Sequence, residues 1–207
     1  YDICKAMVYL EDMRILHRDL KTSNMIWDMT ENKVIILDFG IARYYINDLT
    51  QLPEISVITP TYRPPELWTN ATSFPYYSRI DVWSYGCIIS EIILGRSMFK
   101  DLKDDTHIDP SYFTDTITQF NLFVPLSDVY IEFKECALFA LKINPSERPT
   151  MNDIKKEFDT KKIKDKYSCM RMLNETPKPA LCSCNLKKNR VYTTFNKDFN
   201  VNKLWIA

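Results

Sequence analysis

His17-Arg18-Asp19-Leu20-Lys21-Thr22-Ser23-Asn24 decides the fold of this chain, together with Asp38-Phe39-Gly40 a little further along. The two stretches supply carboxylates, an amide and a cation within a short length of chain. Phosphoryl transfer needs these groups, because it uses a carboxylate beside the attacking hydroxyl, oxygen ligands for Mg²⁺, and cations against the charge on the phosphoryl oxygens. The residue types therefore indicate phosphoryl-transfer chemistry.

The segment between the two stretches predicts a β-hairpin. Met25-Ile26-Trp27 and the apolar run 34–37 are separated by 30–32, whose composition is turn-like. The two ends of such a hairpin lie side by side. We therefore expect Asn24 and Asp38, which are distant in sequence, to converge.

Either stretch alone would be weak evidence, because a lone Asp-Phe-Gly is a common turn. The two occur in order, and three further matches follow: Val57–Glu66, Asp81–Cys87 and Pro145–Thr150. Together they resemble the catalytic lobe of a eukaryotic-type protein kinase, from about residue 1 to residue 160. In that family these three segments are the end of the activation segment, a buried core helix and a late Arg motif.

The resemblance implies roles for the residues of the first two stretches. Asp19 would accept or orient the substrate hydroxyl proton, and Lys21 would reach the transferring phosphate. Asn24 and Asp38 would hold Mg²⁺. The residues implied to contact ATP are Lys21, Asn24, Ile26 and Asp38.

The resemblance also implies contacts that hold the site together. Asp81 would bond the backbone of the catalytic loop, and Thr59 would bond both Asp19 and Lys21. Arg148 and Glu66 would form a buried ion pair. The full set of residues implied to shape the activation segment and its supports is Arg18, Phe39, Gly40, Glu54, Thr59, Arg63, Glu66, Asp81 and Arg148.

The subgroup can be narrowed from the same motifs. Lys21 and Thr59 follow the serine/threonine pattern, and the run 61–66 is most similar to the cyclin-dependent and MAP kinases. In that group Arg63 would shape the pocket beside the phosphosite, which implies proline-directed specificity. The long insert typical of that group is absent or much reduced here, because only Phe99 to Pro125 occupies the region.

Glu54 stands where the cyclin-dependent and MAP kinases carry the phosphorylated Thr of the activation loop. A carboxylate there could pair with Arg18 and Arg43 and hold the loop open without a phosphate. The alternative, which we favour, is a solvated loop residue. Ser56 and Thr50 are candidate phosphosites.

The glycine content of the chain bears on nucleotide binding. A kinase covers ATP with a Gly-rich loop, but this sequence has only Gly40, Gly86 and Gly95, and only sixteen residues precede His17. We therefore expect a fragment that begins inside the domain, or less plausibly a naturally truncated product, with the sheet of the N-terminal lobe missing. Little or no ATP turnover is expected from these residues alone.

The expected fold class is mainly α: a protein-kinase-like C-terminal lobe, built as a helical bundle with a small β-hairpin at the catalytic loop. Residues 1–160 would form this lobe, and 161–207 a C-terminal extension of undetermined structure. Apolar spacing predicts a first helix with Ile3, Ala6, Met7, Leu10 and Met13 at helical spacing. The predicted helices are 2–13, 79–94, 112–120, 128–142 and 150–158.

Composition gives no argument for nucleic acid or membrane as a partner, since the formal net charge is zero. The longest apolar run, Cys87–Leu94, is far shorter than the ~20 residues that span a bilayer. The scattered cysteines favour reduced thiols and an intracellular location, in the cytoplasm, the nucleus or both. Zinc binding by the cysteines of the extension is a weaker interpretation than unliganded thiols, because no fourth ligand has convincing spacing (Cys169, Cys182 and Cys184).

Two functions from different classes follow. The first is a protein serine/threonine kinase that uses ATP and Mg²⁺, acts on a protein substrate, and has an activating or docking protein as a further partner. The second is a pseudokinase or stand-alone C-lobe that binds proteins without chemistry. Retention of Asp19, Lys21, Asn24 and Asp38 favours the first, because a pure scaffold has no chemical need for all four.

Overall fold

The computed structural model describes residues 1–46, 58–68, 77–104, 108–109, 111–123 and 128–161. The chain divides into two units, Tyr1–Asn174 and Glu175–Ala207, and every described residue belongs to the first. The described part is mainly helical with two small sheets, in agreement with the predicted class. Its elements are α1 (Asp2–Asp12), β1 (Ile15–Leu16), β2 (Met25–Asp28), β3 (Lys33–Ile36), β4 (Arg43–Tyr44), α2 (Ile80–Leu94), α3 (Ser111–Phe123), α4 (Asp128–Ala140) and α5 (Met151–Thr160).

The predicted hairpin is confirmed as the antiparallel pair β2–β3, in which Met25 faces Ile36 and Asp28 faces Lys33. Asp28 organises the turn, since its Oδ1 accepts the backbone N–H groups of Thr30 at 2.8 Å and Glu31 at 3.1 Å. Such a side chain to backbone bond is why Asp favours turns.

A second antiparallel pair joins β1 and β4, with Ile15 opposite Tyr44 and Leu16 opposite Arg43. The sequence did not predict it, because strands of two residues are too short to show the alternation of apolar and polar side chains. This pair connects the chain before the catalytic loop to the chain after Gly40.

Helix α2 is the centre of the apolar core. Every residue from Ile80 to Ser90 is buried, as its nearly continuous apolar sequence predicts. Trp83 stacks on Phe99 with ring centroids 5.6 Å apart. A Cβ added at Gly86 would lie 2.7 Å from Cγ of Leu141, so α2 and the chain after α4 approach closely only because this residue is glycine.

Helices α1 and α5 pack against each other, and α5 also contacts α4. The buried face of α1 consists of Ile3, Cys4, Met7 and Leu10. The prediction that the helix includes Met13 is wrong: the helix ends at Asp12 and Met13 is 49% exposed.

The start of α5 is capped by the side chain of Thr150. Thr150 Oγ1 accepts the N–H of Asp153 at 2.9 Å, and the Asp153 carboxylate accepts the N–H of Thr150 at 3.1 Å. This reciprocal capping box satisfies two backbone donors that the helix itself leaves unpaired.

Candidate active site

The predicted catalytic loop, residues 17–24, is fixed to α2 by one buried carboxylate. Asp81 lies in the first turn of α2 and accepts the backbone N–H of His17 at 2.6 Å and that of Arg18 at 3.0 Å. Burial raises the pKa of the Asp81 carboxyl, an effect opposed by these two N–H donors. Arg18 has φ of 69°, a left-handed conformation that costs ~1–3 kcal/mol for a non-glycine residue. The two bonds to Asp81 hold this strained backbone in place.

The Asp19 carboxylate receives a donor from each of three side chains. Its Oδ2 accepts Lys21 Nζ at 2.6 Å and Asn24 Nδ2 at 2.9 Å, and its Oδ1 accepts the Thr59 hydroxyl at 2.6 Å. Lys21 Nζ also donates to Thr59 Oγ1 at 3.0 Å. The structure therefore brings four of the predicted residues into one network, across two loops distant in sequence.

The Asn24 amide has only one orientation that satisfies its contacts. Its NH₂ group donates to the Asp19 backbone carbonyl at 2.9 Å and to the Asp19 carboxylate, both of which can only accept. The amide oxygen therefore faces away from Asp19. The backbone N–H of Leu37 donates to the Asn24 carbonyl at 2.8 Å, which places the residue before Asp38 beside Asn24.

Asp38, the second predicted Mg²⁺ ligand, directly follows Leu37, whose backbone is bonded to Asn24. It is exposed, it has φ of 66°, and its Oδ1 accepts the Gly40 N–H at 3.3 Å. An outward amide oxygen and an exposed carboxylate fit Mg²⁺, which takes one or two protein carboxylates together with substrate phosphates. Across the described residues, no group of three or more His, Cys, Asp or Glu side chains could hold a metal without such help.

His17 links the two halves of this site, which sequence reasoning did not anticipate. Its Nδ1 accepts the Asp19 N–H at 3.3 Å, and its Nε2 lies 3.0 Å from the Leu37 carbonyl. The first contact leaves the ring hydrogen on Nε2, which donates to Leu37. The Phe39 ring lies 4.7 Å from the His17 ring, centroid to centroid. One buried imidazole thus contacts the backbone N–H of Asp19, the predicted catalytic residue, and the backbone carbonyl next to Asp38, the predicted metal ligand.

The remaining predicted residues of this region are placed as follows. Ile26 is half-buried in β2 opposite Ile35. The Arg18 guanidinium donates to the Ile41 carbonyl at 3.3 Å, and Arg43 is exposed and donates to the Ala42 carbonyl at 2.9 Å. Glu54, Ser56 and Thr50 lie outside the described residues.

The end of the activation segment is held by two buried arginines. Arg63 donates to the Ile58 carbonyl from Nε at 3.1 Å and from Nη2 at 2.7 Å, and it pairs with Asp104 at 2.6 Å. The expected pair of Arg148 with Glu66 is present, with contacts of 2.7 and 2.6 Å. Arg63 therefore fixes the backbone carbonyl of Ile58 before Pro64-Pro65, and Arg148 holds the Glu66 side chain after it.

Sequence reasoning missed a polar junction next to Lys21. The Thr22 hydroxyl lies 3.1 Å from both carboxylate oxygens of Glu91, and the Tyr62 hydroxyl donates to Glu91 Oε2. The available signal was Glu91 itself, a charged residue near the end of an otherwise apolar helix.

Comparison with known proteins also finds similarity to protein kinases. A family model described as "Protein kinase domain" matches residues 1–158. The chain is 37% identical over 100 residues to "Probable CTD kinase subunit alpha homolog" of Encephalitozoon cuniculi, an alignment that covers 48% of this chain and 29% of the relative. It is 38% identical over 104 residues to "Cyclin-dependent kinase C-2" of Arabidopsis thaliana, which covers 50% of this chain and 20% of that protein.

A third relative is "Mitogen-activated protein kinase 14" of Xenopus laevis, 37% identical over 109 residues, with coverage of 53% of this chain and 27% of the relative. The chain thus spans less than a third of the length of these three relatives. Among the described helices, none combines the length and apolar character needed to cross a membrane.

Proposed function

The chain belongs to the protein kinase domain family, and on that premise we propose that its catalytic loop transfers the γ-phosphate of ATP to a serine or threonine hydroxyl of a protein. The observation that carries this proposal is the network around Asp19, in which Lys21, Asn24 and Thr59 all donate to one carboxylate. These contacts orient both carboxylate oxygens. A carboxylate held in this way is suited to orient a substrate hydroxyl and to take its proton.

In the proposed reaction, the hydroxyl oxygen of the substrate forms a bond to the γ-phosphorus of ATP. The bond between that phosphorus and the oxygen bridging it to the β-phosphate breaks, and ADP leaves with the bonding electrons. The hydroxyl proton passes to the Asp19 carboxylate. Lys21 Nζ, which lies between Asp19 and Thr59, is placed to offset negative charge on the transferring group.

The Asn24 amide oxygen and the Asp38 carboxylate would hold Mg²⁺. When bound, the ion would neutralise charge on the phosphate oxygens. The contribution of the chain is to orient these two ligands: Asn24 through its donors to Asp19, and Asp38 through the hairpin and its bond to Gly40.

Substrate specificity is proposed to favour a proline after the phosphorylated residue. The Ile58 carbonyl precedes Thr59, whose hydroxyl is bonded to Asp19, and we infer that a substrate bound at Asp19 would pass close to this carbonyl. Arg63 donates to this carbonyl twice. An acceptor engaged in this way is not available to a substrate N–H, and proline is the residue that has none.

The alternative function is a protein-binding module without catalysis. The observation that favours it is the lack of any pair of glycines separated by one residue in the 207-residue sequence, and therefore of a Gly-rich nucleotide cover within it. For that reason we expect these residues on their own to transfer little phosphate. Protein substrates and an activating or docking protein remain the proposed partners of the kinase.

The test is phosphate transfer from γ-labelled ATP to serine-containing peptides by the full-length protein, with and without Asp19→Asn. The variant should lower kcat by about 10²–10⁴-fold, the usual contribution of a positioned acid or base. Asp115→Asn, which changes an exposed aspartate on α3, is the matched control and should behave as wild type. Equal turnover by wild type and Asp19→Asn would refute the catalytic assignment, and no transfer by wild type would favour the binding module.

A further inference from the structure

The catalytic loop is attached to the end of the activation segment at two adjacent points. At the first, Thr59 bonds Asp19 and Lys21. At the second, one residue further along the catalytic loop, the Thr22 hydroxyl lies 3.3 Å from the Tyr62 hydroxyl. Thr59 directly precedes the short 3-10 turn Pro60–Tyr62, so both attachments are made by side chains of the same short segment.

The second attachment depends on Glu91. The Tyr62 hydroxyl donates to Glu91 Oε2, and the Thr22 hydroxyl is 3.1 Å from Oε1 and 3.1 Å from Oε2. Each hydroxyl has a single proton, and a carboxylate can only accept. The arrangement that satisfies all three groups has both hydroxyls donating to Glu91. The carboxylate then holds the two loops together.

Glu91 occupies a position that is costly for a carboxylate. It lies in the last turn of α2, where the helix dipole disfavours negative charge. Within the described residues, Glu91 forms no ion pair with Lys, Arg or His. Its two hydroxyl donors are therefore the groups that compensate its partial burial. Because α2 is buried along most of its length, the carboxylate is a fixed point for both loops.

The Tyr62 hydroxyl is protonated, as its donation to Glu91 requires. Tyr62 is 7% exposed, and burial, with a further contribution from its hydrogen bond to Glu91, raises the pKa of its phenol above the usual value. The phenol therefore remains protonated and able to donate. Tyr62 also carries the backbone that continues to Arg63, which contacts the Ile58 carbonyl.

We propose that Thr22 is a positioning residue that, through its hydroxyl, holds the Thr59–Arg63 substrate platform in register with Asp19. The proposal rests on the proposed kinase function and adds a residue to it. With both attachments made, the platform has a fixed orientation relative to the catalytic loop. With the Thr22 hydroxyl removed, Tyr62 stays bonded to Glu91 and to Ser84 of α2, but Thr59 becomes the one remaining direct attachment of the platform to the catalytic loop among those described above. Thr22 contacts no reacting atom in this arrangement, so its effect passes through Glu91 and Tyr62.

The test compares Thr22→Val with Thr22→Ser in the full-length protein. Valine matches the shape of threonine without the hydroxyl, whereas serine keeps the hydroxyl and loses the methyl group. We expect Thr22→Val to raise KM for the protein substrate by about two- to tenfold, the range that corresponds to one hydrogen bond. KM for ATP should be unchanged, and Thr22→Ser should retain wild-type values. Equal effects of the two variants, or an equal rise in KM for ATP, would overturn the proposal.

A second measurement does not depend on activity. The backbone N–H of Tyr62 donates to Thr59 and that of Arg63 donates to Pro60, so hydrogen exchange at these two amides reports opening of the turn. Thr22→Val should accelerate their exchange by about two- to tenfold, while Thr22→Ser and the amides of α2 should not change. Unchanged exchange in Thr22→Val would overturn the proposal even if the protein is active. Wild-type protein that transfers no phosphate would refute the proposed kinase function, and the exchange result would still decide the role of Thr22.

Discussion

Arg148 and Glu66 form a two-pronged ion pair inside the protein. The guanidinium donates to Glu66 Oε1 at 2.7 Å and to Oε2 at 2.6 Å, and the two side chains are 0% and 6% exposed. The same guanidinium donates to the Lys142 carbonyl at 2.8 Å and lies 5.0 Å from the ring centroid of Trp83. The pair thus joins the end of the activation segment to the chain before α5 and to the core helix α2.

Loss of one charge from this pair should destabilise the protein strongly. Glu66→Gln keeps the shape of the side chain but leaves the Arg148 charge buried without an anion. The free energy of unfolding should fall by about 3–5 kcal/mol, measured by urea denaturation at pH 7. Lys156→Ala is the control, because Lys156 is 77% exposed and its 3.5 Å contact with Asp153 is a surface pair worth at most ~1 kcal/mol. Equal losses in the two variants would contradict the buried pair's role.

Asp38 should be a position where function and stability conflict. Its φ of 66° is strained for any residue except glycine. Asp38→Gly and Asp38→Ala both remove the proposed Mg²⁺ ligand, but only the glycine variant relieves the strain. We expect Asp38→Gly to be more stable than Asp38→Ala by about 1 kcal/mol in thermal or urea unfolding, while neither variant transfers phosphate. Equal stability of the two variants would show that the backbone conformation at position 38 does not lower the free energy of unfolding.

The buried thiols, among them Cys4 and Cys136, should make stability fall at alkaline pH. Burial raises the pKa of the Cys4 thiol to about 11 and that of Cys136 to about 12, whereas thiols of the unfolded chain ionise near ~8.5. The native state therefore keeps protons that the unfolded state releases. Stability from this source is complete below the unfolded pKa and is lost as pH rises toward 11–12. The expected slope above pH ~9 is about 1.4 kcal/mol per pH unit for each thiol.

The measurement is urea unfolding across pH 8–10.5 for wild type and for the double variant Cys4→Ala/Cys136→Ala. The variant should be less stable at pH 8, since it loses buried side-chain volume. Its stability should fall less steeply above pH ~9 than that of wild type. Parallel curves would mean that these thiols do not ionise differently in the two states.

Helices with strongly periodic or continuous apolar residues could be predicted from the sequence. The residues at which they begin and end were predicted less accurately. Helix 79–94 was predicted almost to the residue, because its apolar run stops at Gly95, which has φ of 67° and caps α2. The helix predicted over 112–120 instead spans Ser111–Phe123, and that predicted over 128–142 ends at Ala140. Local sequence signals fix helix existence better than helix ends.

Some contacts of the candidate site could be expected from the sequence, and others could not. The network of Asp19, Lys21 and Thr59 was expected from the family resemblance of the motifs, although Thr59 is 40 positions from Asp19. The Thr22, Tyr62 and Glu91 junction was not, because Thr22 and Glu91 are 69 positions apart and only the folded chain brings them together. A hydroxyl in a polar loop gives no local sign of such a partner.

Arg63 should determine the preference for proline after the phosphorylated residue. In wild type the Ile58 carbonyl is engaged by the Arg63 guanidinium, so a substrate N–H at that position is left without an acceptor, at a cost of ~1–3 kcal/mol. The kcat/KM for a Ser-Pro peptide should therefore exceed that for the matching Ser-Ala peptide by about tenfold or more. Arg63→Lys keeps the charge beside Asp104 but cannot donate twice in the same plane, so the ratio should fall toward one. Arg96→Lys, an exposed arginine after α2, should keep the wild-type ratio. If the ratio of kcat/KM for the Ser-Pro and Ser-Ala peptides is the same in Arg63→Lys and in wild type, a group other than Arg63 determines the preference for proline.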